Sequence, residues 1–166
     1  MFSEQTSHMP AVIRAYRRAD RWNLVALINA VCAEGMMATP SFQPTPAWEH
    51  ALAEPECPHH LLLVAEAEGE IVGWCRLFPA FSPNPRILEL GIGVVAPRRR
   101  QGIGSALMRG ALGWAAERGI SQIVLTTRTD NEPARRLFTR YGFHPLRTQG
   151  HQLEMAWSAP SSRSGV

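Results

Sequence analysis

The stretch Val94-Val95-Ala96-Pro97-Arg98-Arg99-Arg100-Gln101-Gly102-Ile103-Gly104-Ser105-Ala106-Leu107 constrains the fold more than any other. β-Branched residues end a strand, a basic turn with two spaced glycines follows, and an apolar-periodic helix begins. The first N–H groups of a helix have no intrahelical partners, and the helix dipole adds partial positive charge there. Glycines let the main chain turn tightly, so successive N–H groups can converge on an anion such as phosphate. The same spacing also suits a plain strand-to-helix turn with a solvated arginine face. The rest of the chain decides between the two.

A chain of 166 residues fits one domain with a continuous core. An apolar share of 45% beside 19% charged residues indicates a globular protein. No apolar run reaches the length that spans a bilayer. The polar Met1–Pro10 segment lacks the pattern of a secretory signal, so a cytoplasmic location is expected. The expected organisation is a flexible N-terminus over 1–10, a single domain over 11–158 and a disordered tail over 159–166. Cys32, Cys57 and Cys75 are odd in number and widely spaced, which suits a reducing compartment. Cys57-Pro58-His59-His60, preceded by Glu54 and Glu56, matches no standard zinc spacing and reads as a solvated polar loop. No metal is expected.

All 17 cationic side chains are arginine. The absence of lysine excludes a Schiff-base lysine and the lysine of a Walker phosphate loop. Clusters at Arg98–Arg100 and at Arg135, Arg136 and Arg140 would attract a polyphosphate or nucleic acid. A net charge of +3 is too small to favour nucleic acid by itself, and no aromatics are interleaved with the clusters as stacking platforms.

Periodicity supplies the element order. Val12–Arg17 reads as a strand, and Asp20 as the cap of a helix carrying Leu24, Leu27, Ile28 and Val31 and closed by Gly35. Prolines 40, 44, 46 and 55 mark a long excursion with a short helix over Pro46–Ala53, the sort of segment that walls a substrate site. Leu61–Glu66 and Ile71–Phe78 flank Glu68-Gly69-Glu70 as a hairpin. Arg86–Val95 is a further strand, and Gly91 and Gly93 inside it mark a bulge or a close approach. Ile103, Leu107, Ala111 and Trp114 share a helix face, Gln122–Thr127 returns as a strand, and Asn131 caps a helix running to Tyr141. Gln152–Trp157 is the last strand. This order fits a mixed α/β class with a partly parallel sheet.

At this point the chain resembles the GNAT superfamily of acyl-CoA-dependent N-acetyltransferases. Arg99-Arg100-Gln101-Gly102-Ile103-Gly104 is similar to the family's Arg/Gln-x-x-Gly-x-Gly/Ala pyrophosphate loop. Asn131-x-x-Ala134-x-x-Leu137-Phe138-x-x-x-Gly142-Phe143 is similar to its second signature, Asn-x-x-Ala-x-x-Leu-Tyr-x-x-x-Gly-Phe. The resemblance extends from Val12 to Trp157. It implies an α+β mixed sheet of six or seven strands flanked by about four helices. It implies acetyl-CoA as acyl donor, with the coenzyme's pyrophosphate on the amides of Arg99, Arg100, Gln101, Gly102, Ile103, Gly104 and Ser105. The pantetheine arm would run beside Val94, Val95 and Ala96, where the family's fourth and fifth strands splay, and Asn131, Ala134 and Phe138 would line its other side. Arg98–Arg100 would also stand near the coenzyme's 3′-phosphate. Dimers occur among relatives, so a homodimer fits the resemblance.

The implied reaction is acetyl transfer to a primary amine by direct attack. An ammonium with a pKa near 10.4 costs ~4–5 kcal/mol to present as free amine at neutral pH, whereas protonating a thiolate of pKa near 8.5 is worth only ~2 kcal/mol. A base therefore matters more than an acid. Glu89, among Ile87, Leu88, Leu90 and Ile92, is the first candidate base, expected to be partly desolvated with a raised pKa; a surface glutamate on an alternating strand is the competing reading. Glu34 is a second carboxylate that could draw a cationic acceptor. Two departures from the family stand out. Phe138 replaces the usual tyrosine and cannot donate a proton, leaving Tyr141 as a substitute acid or a packing residue, and the Pro97–Gly102 spacing is one residue short. Phe138 also keeps open a catalytically weak sensor of acyl-CoA. Trp48, Phe42, Phe78, Phe81 and His50 fall where the family places its acceptor pocket.

Overall fold

A computed structural model describes residues 10–37 and 39–160. Seven strands form one sheet in the order β1-β2-β3-β4-β5-β7-β6. They are β1 Val12–Ala15, β2 Leu61–Ala67, β3 Glu70–Pro79, β4 Ile87–Val94, β5 Gln122–Arg128, β6 His144–Gln149 and β7 Gln152–Ser158. Four α-helices accompany them among the described residues: α1 Arg21–Cys32, α2 Pro46–Ala53, α3 Ile103–Glu117 and α4 Glu132–Arg140. Every ladder is antiparallel except β4/β5. The fold is the mixed sheet that the sequence indicates. Of the expected termini, residues 1–9 and 161–166 lie outside the described residues.

Alternation along β2 and β3 sends side chains to two unlike cores. One face collects Ala65, Cys75, Leu77, Leu88, Leu90, Leu107, Met108, Ala111, Ile123 and Leu125 around α3. The other collects Tyr16, Trp48, Leu62, Val64, Trp74 and Phe78 around α1 and α2. The hairpin turn forms at Glu68 and Gly69, both with positive φ (54° and 79°), as a tight two-residue connection requires.

Three local expectations change. The first strand ends at Ala15, and Asp20 does not cap α1 with its side chain. Its carboxylate is taken instead by Arg14, at 2.8 and 2.9 Å, and by the Arg17 amide at 2.8 Å. A charged partner outcompetes a single cap bond. The third change is β6, a strand the sequence pattern does not reveal. All of its residues are exposed, so no alternation is written into His144–Gln149. It pairs with β7 as an edge strand and carries Pro145, which fits that position.

Candidate active site

The ladder between β4 and β5 is short. Ile87, Leu88 and Glu89 pair with Gln122, Ile123 and Val124, and no further pairs follow. β4 meanwhile stays paired with β3 all the way to Val94. From Leu90 onward the sheet is therefore open on one side. Val95 N–H donates to Val72 O at 2.9 Å, so by ladder alternation the main-chain groups of Ile92 and Val94 face the opening. The expectation that both Val94 and Val95 offer free main-chain groups is corrected here. Val95 has neither, because its carbonyl also accepts from Arg98 N at 2.9 Å. The Val94 carbonyl accepts from Arg99 Nε at 2.9 Å, and the Arg99 amide donates to Ala96 O at 3.2 Å, which takes that amide out of the expected anion site.

β4 leads directly into the glycine turn. Arg100 and Gly102 both adopt positive φ (64° and 80°), and Gly102 is the residue just before α3. That left-handed conformation explains why glycine stands at Gly102. The first intrahelical bond runs from Ala106 N to Gly102 O at 3.0 Å, which leaves the amides of Ile103, Gly104 and Ser105 as the unpaired N–H groups of a helix start. Gln101 and Gly102 are exposed and Ala96 is exposed at the strand's end, so the turn is open to a ligand. Free amides at a helix start of this kind can hold an anion.

The three arginines divide their roles. Arg98 is buried and donates to Glu68 Oε2 at 3.1 Å, which removes it from the group expected near a nucleotide phosphate. Arg99 donates through Nε to Val94 O at 2.9 Å and through Nη2 to Glu34 Oε2 at 2.5 Å. Arg100 is exposed. Glu34, expected to draw a cationic acceptor, is thus engaged by Arg99.

Across the opening, Asn131 accepts from Ala134 N at 3.4 Å as the cap of α4. Its Nδ2 also donates to Met36 O at 3.4 Å. The segment just after α1 therefore touches both arms of the opening, Arg99 through Glu34 and Asn131 through Met36. Ala134 is half-buried, and Phe138 is buried with its ring 5.9 Å from that of Phe143. Tyr141 donates to Ser105 O at 3.5 Å and accepts from Arg109 Nη1 at 3.2 Å, so its hydroxyl braces α4 against the first turn of α3.

Glu89 does not sit in an apolar setting. Leu88 and Leu90 turn to the α3 core, and strand alternation sends Glu89 to the opposite face, where its side chain is 49% exposed. Arg76 Nη2 donates to its Oε1 at 2.7 Å. The expected desolvation is absent because the flanking leucines do not share its face. Arg76 itself escaped the sequence reading. Its alternation with Trp74 and Phe78 along β3 was the available signal. The Arg76 guanidinium lies 4.9 Å over the Phe78 ring and 5.7 Å from that of Trp48.

The expected acceptor aromatics are partly assembled. Phe42, Trp48 and Phe78 form an edge-to-face column with centroid spacings of 4.9 Å at both contacts. Phe81 stands fully exposed, apart from the column. Gly93 permits the neighbouring packing: a Cβ there would fall 2.2 Å from the Trp74 ring. Cys75 is fully buried and its thiol is pushed up to about 12, while burial also raises Cys32. Neither is a thiolate nucleophile at neutral pH.

The sequence profile described as the acetyltransferase (GNAT) family matches residues 28–143. The chain belongs to this family. Among curated proteins, it is 33% identical over 89 residues to the mycothiol acetyltransferase of Arthrobacter sp. (strain FB24), covering 52% of this chain and 28% of that protein. It is 36% identical over 83 residues to N-acetyltransferase 8 of Homo sapiens, covering 48% of this chain and 37% of that one. The chain thus spans well under half the length of these relatives. Solved structures share the fold. An acetyltransferase of the GNAT family from Streptococcus pneumoniae superposes with a TM-score of 0.79 at 24% identity, over 90% of this chain and 99% of that one. A phosphinothricin acetyltransferase from Sinorhizobium meliloti, solved in complex with AcCoA, gives 0.76 at 18% identity, over 95% and 93% of the two chains.

Proposed function

We propose that this chain moves an acetyl group from acetyl-CoA to a primary amine by direct attack. The observation that carries the reading is the continuity of the open side of β4 with the glycine turn. An extended arm can pair with the main-chain groups of Ile92 and the Val94 N–H while a diphosphate sits on the amides from Arg100 to Ser105. A main-chain N–H on that open side is also the donor for the oxyanion of a tetrahedral intermediate.

The acceptor enters from the α1/α2 face. Its ammonium is drawn by Glu89, which takes the proton through water, and its apolar body rests on the Phe42–Trp48–Phe78 column. The Arg76 ion pair holds the Glu89 carboxylate in place. The leaving thiolate takes its proton from solvent, since Phe138 has none to give and the Tyr141 hydroxyl is committed to Ser105 and Arg109. A thiol-release screen with acetyl-CoA against an amine library, checked by mass spectrometry, tests the activity. Coenzyme binding with no transfer to any amine would instead favour an acyl-CoA sensor. Glu89→Gln should lower kcat/KM by about 10²-fold, the usual contribution of a general base, with the deficit shrinking at alkaline pH as free amine becomes abundant. A deficit of equal size at every pH would remove Glu89 as the base.

A further inference from the structure

We propose a zinc-class metal site formed by His50, Cys57 and His60, built from none of the residues of the glycine turn. The linear spacing of Cys57 and His60 matches no standard pattern, and the expectation of a plain polar loop followed from that. The missing donor comes from another element. His50 lies in the last turn of α2, and the fold returns it to the loop that precedes β2. The donor atoms of the three residues all lie within 4.8 Å of one another.

A second observation points to a ligand. His60 is 6% exposed, and its Nε2 is buried with no hydrogen-bond partner. An unpaired buried nitrogen is costly, and the native solutions are a donor, a water or a cation. Its immediate surroundings are the His50 ring at 5.7 Å and the Phe78 ring at 5.9 Å, both edge-on.

The donor set is chemically coherent. Two imidazoles and a thiolate suit Zn²⁺ and do not suit calcium or magnesium, which take oxygen ligands. Donors on a tetrahedral zinc stand about 3.3–3.6 Å apart, so the site must contract by roughly 1 Å. His50 is exposed and free to supply that movement by a rotamer change. The backbone around it is held: Tyr16 donates to Leu52 O at 3.0 Å, Arg18 to Ala53 O at 2.8 Å, and Cys57 N to Glu54 O at 3.1 Å. Binding forms a Zn–S bond, breaks the Cys57 S–H bond and releases that proton to solvent. The fourth position is left to water. The ion would staple α2, and with it Trp48, to the start of β2.

The test uses the untagged chain, stripped with a chelator and titrated with Zn²⁺ by calorimetry and with Co²⁺ by absorption. One ion should bind per chain, with a thiolate-to-cobalt charge-transfer band and tetrahedral d–d bands. Cys57→Ser should abolish the charge-transfer band and weaken Zn²⁺ binding at least about tenfold, the loss that even outer-shell changes cause. His50→Gln should weaken binding similarly while keeping the band. Both changes lie at or near the surface, and circular dichroism confirms the fold. His59→Gln, an exposed neighbour, should change neither reading. Absence of the band in the parent chain, its survival in Cys57→Ser, or equal affinities for His50→Gln and His59→Gln would overturn the site. None of these outcomes depends on acetyl transfer.

Discussion

The two faces of the sheet are built from different materials. Around α3 the packing is mainly aliphatic, and the glycine turn beside it presents unpaired main-chain amides at Ile103, Gly104 and Ser105. Around α1 and α2 it is aromatic and charged, with Trp74 under Gly93, a Phe42–Trp48–Phe78 column, and Arg76 tied to Glu89. A main-chain cradle depends on backbone conformation and tolerates change in most side chains. An aromatic wall depends on every ring it contains. The first face suits one invariant ligand; the second suits a variable one.

The largest expected effect strikes the cradle. Gly102 sits at φ +80° with open space where a Cβ would go, so Gly102→Val meets strain and no clash. A left-handed valine costs ~1–2 kcal/mol and re-aims the amides. Losing two charge-assisted bonds to a diphosphate should cost about 3 kcal/mol or more, read by calorimetry as roughly 10²-fold weaker coenzyme A binding. Unchanged affinity would erase the distinction between the faces. Gly93→Ala probes the aromatic side, where the new methyl would stand 2.2 Å from Trp74. Overpacking of this kind should cost up to about 3 kcal/mol in urea unfolding.

Smaller again is the loss on freeing α1 from the sheet. Asp20→Asn removes the carboxylate that binds Arg14 and the Arg17 amide, and should destabilise by about 2 kcal/mol. The hydrogen bond from Arg14 leads the causes that lower the Asp20 pKa, so its stabilisation is present above the ordinary carboxylate value and is lost as pH falls through the folded one. The gap between parent and variant should therefore be full at neutral pH and close below about pH 4. A gap independent of pH would leave the ion pair without a role.

The aliphatic face was legible in the sequence because its signals are local. Glycine spacing, a cap at Asn131 and helical periodicity are written within a few residues of where they act, and the mixed sheet followed from them. The aromatic face was not. Glu89 looked desolvated because its neighbours in sequence are leucine and isoleucine, yet alternation places Leu88, Leu90 and Ile92 on the far side of the strand and gives Glu89 to Arg76, thirteen residues away. The same holds for Asp20, whose nearest use as a cap lost to Arg14, and for His50, which joins Cys57 and His60 only through the fold. β6 carried no signal at all, since an edge strand exposed on every residue has nothing to alternate.

The segment leading out of α1 reaches Arg99 through Glu34 on one side of the sheet's opening and Asn131 through Met36 on the other. The same helix holds Phe42 N through Asn29 Oδ1 at 3.1 Å. On the proposed function, a ligand lodged between the arms would meet a segment that is tied to both of them and, through Asn29, to the loop carrying Phe42. In the proposed reaction, donor and acceptor would then be coupled. Steady-state kinetics should show compulsory order, with the thioester arriving first and the amine meeting a pocket its predecessor has finished shaping.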